Sequence, residues 1–153
     1  MDVFRGEIYL ADLGKNTGSE LNGVRPVLII QNDKGNKYST TTIIAPLSTN
    51  IRKRCLPTHV YLDKDENNLR EHSLIIVEQM KVICKSRLGK RLTKLSDRKM
   101  WAVDNAMVIS IELNKQNIVY ELLQELIERD DIDYDMKVSD FMDMAKHKLL
   151  IAG

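Results

Sequence analysis

Apolar residues in the first two thirds of the chain come in short runs separated by polar or turn-forming stretches. Phe4 to Leu13 sets Ile8, Leu10 and Leu13 between polar neighbours and reads as a strand. Arg25 to Gln31, β-branched and apolar, reads as a buried strand, and Pro26 biases Arg25 toward an extended conformation. Thr41 to Leu47 is a third strand. Pro57 to Leu62 is a fourth, with Pro57 setting its start at an edge or bulge. Ser73 to Val77 and Lys81 to Cys84 follow, then a short run over Gly89 to Leu92. Between them lie a polar, glycine-bearing loop over 15–23, turn chemistry over 32–36, a basic connector over 48–54 and a polar turn over 64–72. Short strands spaced by turn signals predict a small antiparallel barrel or sandwich. Helical spacing starts only after Ser96, a good N-cap, where Met100, Val103, Met107 and Ile111 recur. A second helix is expected over about 117–129, on the rows Ile118, Leu122, Leu126 and Val119, Leu123, Ile127. A third starts near Ser139. The predicted class is mainly β with C-terminal helices, α+β.

Composition narrows the setting. The chain has 153 residues, 43% of them apolar and 29% charged, which suits one soluble domain with a short appendage. No apolar run is long enough to span a bilayer, and Met1 to Glu7 shows no basic-then-apolar leader, so a cytoplasmic protein is expected. Cys55 and Cys84 are then free thiols, and with three scattered histidines they give no metal-ligand spacing. The formal charge of 23 − 22 = +1 conceals an asymmetry. Lys81 to Lys99 holds eight bases and one acid, +7, whereas Glu121 to Asp143 holds nine acids and two bases, −7. Such a split fits a polyanion site, a charged partner, or two oppositely charged solvated faces.

Phosphate-binding loops of the GxxxxGK[ST] and GxGxxG types are absent, as are the HExxH and GxSxG signatures. What remains are polar residues at strand ends beside glycine-containing loops. Three stretches are distinctive together: Arg5 to Leu13, Gly18-Ser-Glu20, and Gly23-Val-Arg-Pro-Val-Leu-Ile-Ile-Gln-Asn-Asp33. With Thr41 to Ser48, Leu56 to Val60 and Glu78-Gln79, they resemble the MazF/PemK family, the toxin halves of bacterial toxin–antitoxin pairs, over about residues 3 to 113. The resemblance implies an SH3-like or CcdB-like barrel over 1–115 and a homodimer. It implies a sequence-specific, metal-independent and cofactor-free endoribonuclease that cuts single-stranded mRNA, leaving a 2′,3′-cyclic phosphate and a 5′-hydroxyl. It also implies a MazE-like antitoxin, with operator DNA bound only through that partner.

The residues can be weighed against that chemistry. Attack by a 2′-hydroxyl needs a proton acceptor, a proton donor and positive charge on the developing phosphorane. Arg25 suits the charge role, since its planar fork matches phosphate oxygens. The resemblance places the catalytic arginine there, and the catalytic Thr or Ser at Ser48. A turn-forming serine is the plainer reading of Ser48, and Thr49 is the neighbour that could replace it. Glu20 could accept a proton or read a base edge. His59 titrates in the right range but is equally a structural strand histidine. Glu78 and Gln79 could pair with bases splayed from a single strand. Arg52 and Lys53 could contact phosphates, or simply be solvated. Gly18, Ser19, Asn32 and Asn36 complete the expected RNA-contacting set.

Two rivals remain open: a CcdB-like toxin that poisons a topoisomerase, and a non-catalytic nucleic-acid-binding subunit. Residues 116–153 form an acidic helical extension beyond the resemblance. They either pack on a barrel or mimic an antitoxin tail.

Overall fold

In the computed structural model, the described residues are 2–15, 17–53 and 56–113. The chain divides into two units, residues 1–112 and 113–153. The helices expected at 117–129 and from Ser139, together with Arg54 and Cys55, lie outside the described residues.

Seven strands form, close to the segments that apolar alternation marks: β1 (Glu7–Asp12), β2 (Val24–Ile29), β3 (Thr41–Ser48), β4 (His59–Leu62), β5 (Ser73–Ile76), β6 (Lys81–Cys84) and β7 (Leu88–Lys94). All pairings are antiparallel. The order is β4-β5-β3-β2-β1-β7, with β6 also on β3. This path has two ends, so the sheet is not closed; the expected class, mainly antiparallel β with a helix after the strands, is the one formed. At the β4 end of the path, α2 (Asp97–Ser110) packs against β4. Lys99 Nζ donates to Tyr61 O on β4 at 3.3 Å.

The period-two pattern sorts the strands onto two cores. Ile8, Leu28, Ala45 and Leu47 face one core, with Val60, Leu62 and Ile75 from β4 and β5 and Val103 and Ala106 from α2. Tyr9, Ala11, Val27, Ile29 and Ile44 face the other, with Ile83 and Leu88. The central strands β1, β2 and β3 are therefore buried on both sides, which is why Arg25 to Gln31 reads as an unbroken apolar run. Tyr9 reaches Glu7, and Glu7 also receives Phe4 N at 3.0 Å and Arg91 at 2.7 Å. Burial, reinforced by the hydrogen bond to Glu7, pushes the Tyr9 phenol up to about 12.

The 32–36 segment is a short helix, α1 (Asp33–Tyr38), rather than a bare turn. Its turn chemistry is real but starts a helix: Asn32 Oδ1 caps it by accepting from Gly35 N at 2.7 Å. Asn36 is buried, donating Nδ2 to Gln31 O at 3.0 Å and accepting from Thr42 Oγ1 at 2.8 Å. β7 is longer than the Gly89–Leu92 run, beginning at buried Leu88 and ending at exposed Lys94. On α2, Val103 is buried and Met100 and Met107 pack on the core, but Ile111 lies past the helix end and is exposed. Among the described residues no helix is long and apolar enough to cross a membrane.

Asn36→Ala leaves the hydroxyl of fully buried Thr42 without its acceptor. The expected loss is about 1–3 kcal/mol of unfolding free energy, read from urea melts.

Candidate active site

The loop between β1 and β2 closes on itself: Gly23 N donates to Gly14 O at 2.9 Å, and Leu13 N to Gly23 O at 3.0 Å. Gly23 takes φ +70°, and Gly18, near the tip, φ +61°, a region that side chains rarely adopt. Gly18 therefore shapes the tip and has no side chain to offer a ligand. The loop is then tied to the far side of the sheet by one amide. Gln79 Oε1 accepts from Leu21 N at 2.7 Å, and its Nε2 donates to Ser19 O at 3.2 Å. Gln79 ends the single-turn helix over 77–79 that links β5 to β6.

Under this bridge lies a cavity of about 120 Å³ lined by Ser19, Ser48, Asn50, His59, Glu78 and Gln79, with Leu21 and Ile76. Sheet register explains the grouping. Ser48 pairs with Leu74, and His59 with Ile76, so Ser48, Ile76 and His59 are on one face of β3, β5 and β4. The Ser48 hydroxyl accepts from Asn50 N at 3.2 Å, as a turn serine does, and its own proton remains free to donate. His59 has a side chain only 1% exposed, with Nε2 2.6 Å from Glu78 Oε1. Burial works to raise the Glu78 carboxyl. Hydrogen bonds from its own backbone N–H, from His59 and from Thr58 outweigh that and hold it below the usual range.

Arg25 lies beside this pocket without lining it. The β2–β3 register pairs Val27 with Pro46, and two residues on it sets Arg25 across from Ser48. Arg25 Nε donates to Asn22 O at 2.7 Å, which leaves the two terminal nitrogens of the fork available. Partial burial lowers its pKa.

The structure thus brings Ser19, Ser48, His59, Glu78 and Gln79 together, with Arg25 alongside. Glu20 lines a neighbouring cavity with Glu78 and Gln79. Thr49 faces a third, with Lys64, Arg70 and His72. Arg52 is exposed on the connector, where its backbone N–H donates to Asn50 Oδ1 at 3.3 Å. Lys53 falls on the same connector, in the short helical turn Ile51–Lys53. Asn32 and Asn36 stand apart from this pocket: Asn32 caps α1, and Asn36 is buried and hydrogen-bonded inside the fold. Sequence reasoning missed Leu21, Asn50 and Ile76. Asn50 had a signal, since a polar residue two past a strand-end serine can close a turn on it. Among the described residues no three His, Cys, Asp or Glu side chains converge as a metal site.

Comparison with known proteins follows this geometry. The family model of the PemK-like, MazF-like toxin of type II toxin–antitoxin systems matches residues 4–111. An endoribonuclease MazF of Staphylococcus epidermidis is 52% identical over 112 residues, 73% of this chain and 93% of that protein. Among solved structures, the Mycobacterium tuberculosis toxin MazF-mt6 is 25% identical with a TM-score of 0.59, covering 71% of this chain and 98% of its own. A mycobacterial endoribonuclease solved with its cognate antitoxin is 23% identical with a TM-score of 0.62, covering 73% and 97%. MazF of Deinococcus radiodurans, 16% identical with a TM-score of 0.63 and covering 74% and 99%, shares the fold.

Two outcomes are expected. Glu78 binds its proton less readily folded than unfolded. Its contribution to stability is therefore present above the ordinary carboxylate range and is lost as pH falls through the lowered value. Melting temperatures followed from pH 6 down to about pH 3 should fall less steeply in Glu78→Gln than in the wild type. Gln79→Ala should keep the fold but release the loop, raising KM for substrate by roughly tenfold with a smaller change in kcat, since two neutral hydrogen bonds of about 1 kcal/mol each are lost.

Proposed function

The chain belongs to the PemK-like, MazF-like toxin family of type II toxin–antitoxin systems, and from that premise we propose that it is an endoribonuclease cutting single-stranded RNA where β3 ends at Ser48. The observation that carries this reading is the convergence of Ser48, His59 and Glu78 in one pocket, with the open fork of Arg25 on the adjacent strand.

The reaction is an internal transfer. The ribose 2′-oxygen bonds to phosphorus, its proton leaves, and the bond to the 5′-oxygen breaks as that oxygen gains a proton. The products are a 2′,3′-cyclic phosphate and a 5′-hydroxyl. Charge builds on the non-bridging oxygens as the phosphorane forms. Arg25 can meet it with two parallel N–H donors, and Ser48 with its O–H. Asn22 O already orients the guanidinium, and partial burial has removed part of its water, so little reorganisation is needed on reaction. Glu78 is the ionised acceptor in the same pocket, fixed by a buried imidazole. Arg25, Ser48 and Glu78 supply the charge and the proton acceptor, and water can supply the proton that the 5′-oxygen gains, so the reading needs no metal.

A mycobacterial relative is solved with its cognate antitoxin. Membership of a toxin–antitoxin family supports a MazE-like antitoxin as the partner of this chain, and our reading extends to a homodimer that reaches operator DNA only through that antitoxin.

The test is incubation of the purified full-length chain with a long single-stranded RNA in EDTA, followed by mapping of the cut ends. Discrete cuts at one short motif, with cyclic-phosphate ends, are expected. Arg25→Ala should lower the rate by about 10²–10³-fold and Ser48→Ala by a smaller factor, both with unchanged melting temperature. A topoisomerase poison or a non-catalytic subunit would show no cutting and no dependence on Arg25.

A further inference from the structure

The connector that leaves β3 separates two cavities. Its residues alternate between them: Ser48 and Asn50 line the first, whereas Thr49 and Ile51 line the third, of about 280 Å³. Lys64, Arg70, Glu71 and His72, all from the loop between β4 and β5, close the third cavity on its other side. Charge distinguishes the spaces around Ser48. The first cavity holds Glu78 and no lysine or arginine. The second, joined to it through Leu21, Glu78 and Gln79, sets Glu20 and Glu78 against Lys81, with Pro46 and Met80 as its apolar wall. The third sets Lys64 and Arg70 against Glu71, and is the one of the three in which cations outnumber carboxylates. Among the described residues neither Lys64 nor Arg70 forms an ion pair.

Resting on the endoribonuclease reading above, we propose that this third cavity holds a backbone phosphate of the same RNA strand, outside the scissile linkage, and adds affinity without adding sequence preference. A strand whose scissile phosphate sits at Ser48 has only the connector to cross before it meets Thr49 and the cations behind it. The donor set fits a phosphodiester. Arg70 offers a planar fork and Lys64 a point charge on a long stem, both suited to non-bridging oxygens. His72 adds a neutral donor. Lys64 N donates to its Nδ1 at 3.3 Å, and Tyr61 Oη lies 2.9 Å from the same atom, so the neutral ring carries its proton on Nε2. Thr49 brings a hydroxyl, and exposed Ile51 gives a ribose an apolar neighbour. Contacts to phosphate and sugar fix the position of a strand and carry no base identity. The cluster thus works as a clamp on the backbone, whatever bases flank the cut.

The test uses the full-length chain and an oligonucleotide bearing the cut motif, with a 2′-deoxy sugar at the cleaved nucleotide so that it binds without reacting. Each linkage other than the scissile one is replaced in turn by an uncharged methylphosphonate. At one of them wild-type affinity should fall about tenfold, the loss of a charge-assisted contact. Arg70→Gln should bind the unmodified oligonucleotide more weakly by a similar factor and become insensitive to that one linkage, with Lys64→Gln changing in the same direction. The slope of log Kd against log salt should shrink by about 0.7 in Arg70→Gln, the contribution of one phosphate on a single strand. In cleavage assays KM should rise with kcat unchanged, and equally for every flanking sequence. A wild type that cuts nothing overturns the endoribonuclease reading and the clamp with it. Cutting at a fixed motif overturns the clamp alone if no linkage depends on Arg70 or Lys64 and the salt slope is unchanged, or if the variants lose affinity only for particular flanking bases.

Discussion

The strand β3 has one edge on β2, and on its other edge two partners must be accommodated in eight residues. From Thr41 to Ile44 that edge belongs to β6, and from Leu47 to Ser48 it belongs to β5. Ala45 and Pro46, between them, have no ladder partner there, and a proline brings no N–H that would need one. This change of partner is what the rest of the molecule depends on. It turns β5 and β4 away from β6, opens space for α2 over the first core, and delivers Ser48 to the place where the β5–β6 link passes. The same turn of the chain makes the wall of the second cavity, since Pro46 faces it.

Charge is distributed with equal economy. The basic run from Lys81 to Lys99 looks like a polyanion surface, yet much of it is spent inside the fold. Lys85 donates to Asn36 O, Arg87 to Asp12 O at 2.7 Å, Arg91 pairs with Glu7, and Lys99 meets Tyr61 O and Glu66. Lys81 alone of the eight lines the paired cavities. Arg25, outside that run, differs from these in having its side chain held by one backbone carbonyl through Nε, with no ion pair among the described residues.

Local chemistry was readable where local forces decide. Alternation and short apolar runs located the strands because burial on a pleated surface, on one side or both, imposes them, and Ser96 located the start of α2 because the first turn needs an acceptor. Ser48 and Arg25 were legible as strand-end residues of the right chemistry. What the sequence leaves hidden shares one cause, dependence on distant partners. Asn36 reads as an exposed turn residue until Thr42 and Gln31 O are seen beside it. Gln79 reads as a pocket residue, but nothing near it in sequence tells that its amide bridges to a loop 58 and 60 residues away. The second cavity was hidden too, because Pro46, Met80 and Lys81 read as strand filler and a surface cation.

The bridge from Gln79 to Ser19 and Leu21 also bears on the order of events during synthesis. A growing chain that has reached residue 75 already contains Arg25, Ser48 and His59, yet it lacks the amide that pins the loop and the carboxylate that meets the imidazole. Both arrive together, in consecutive residues, and β6 and β7 must still follow before the sheet is complete. Contacts this far apart in sequence form late and all at once. A chain released early at the ribosome therefore carries the reactive residues without the geometry that makes them dangerous, so harm to the cell that makes it begins only when the folded unit is essentially whole.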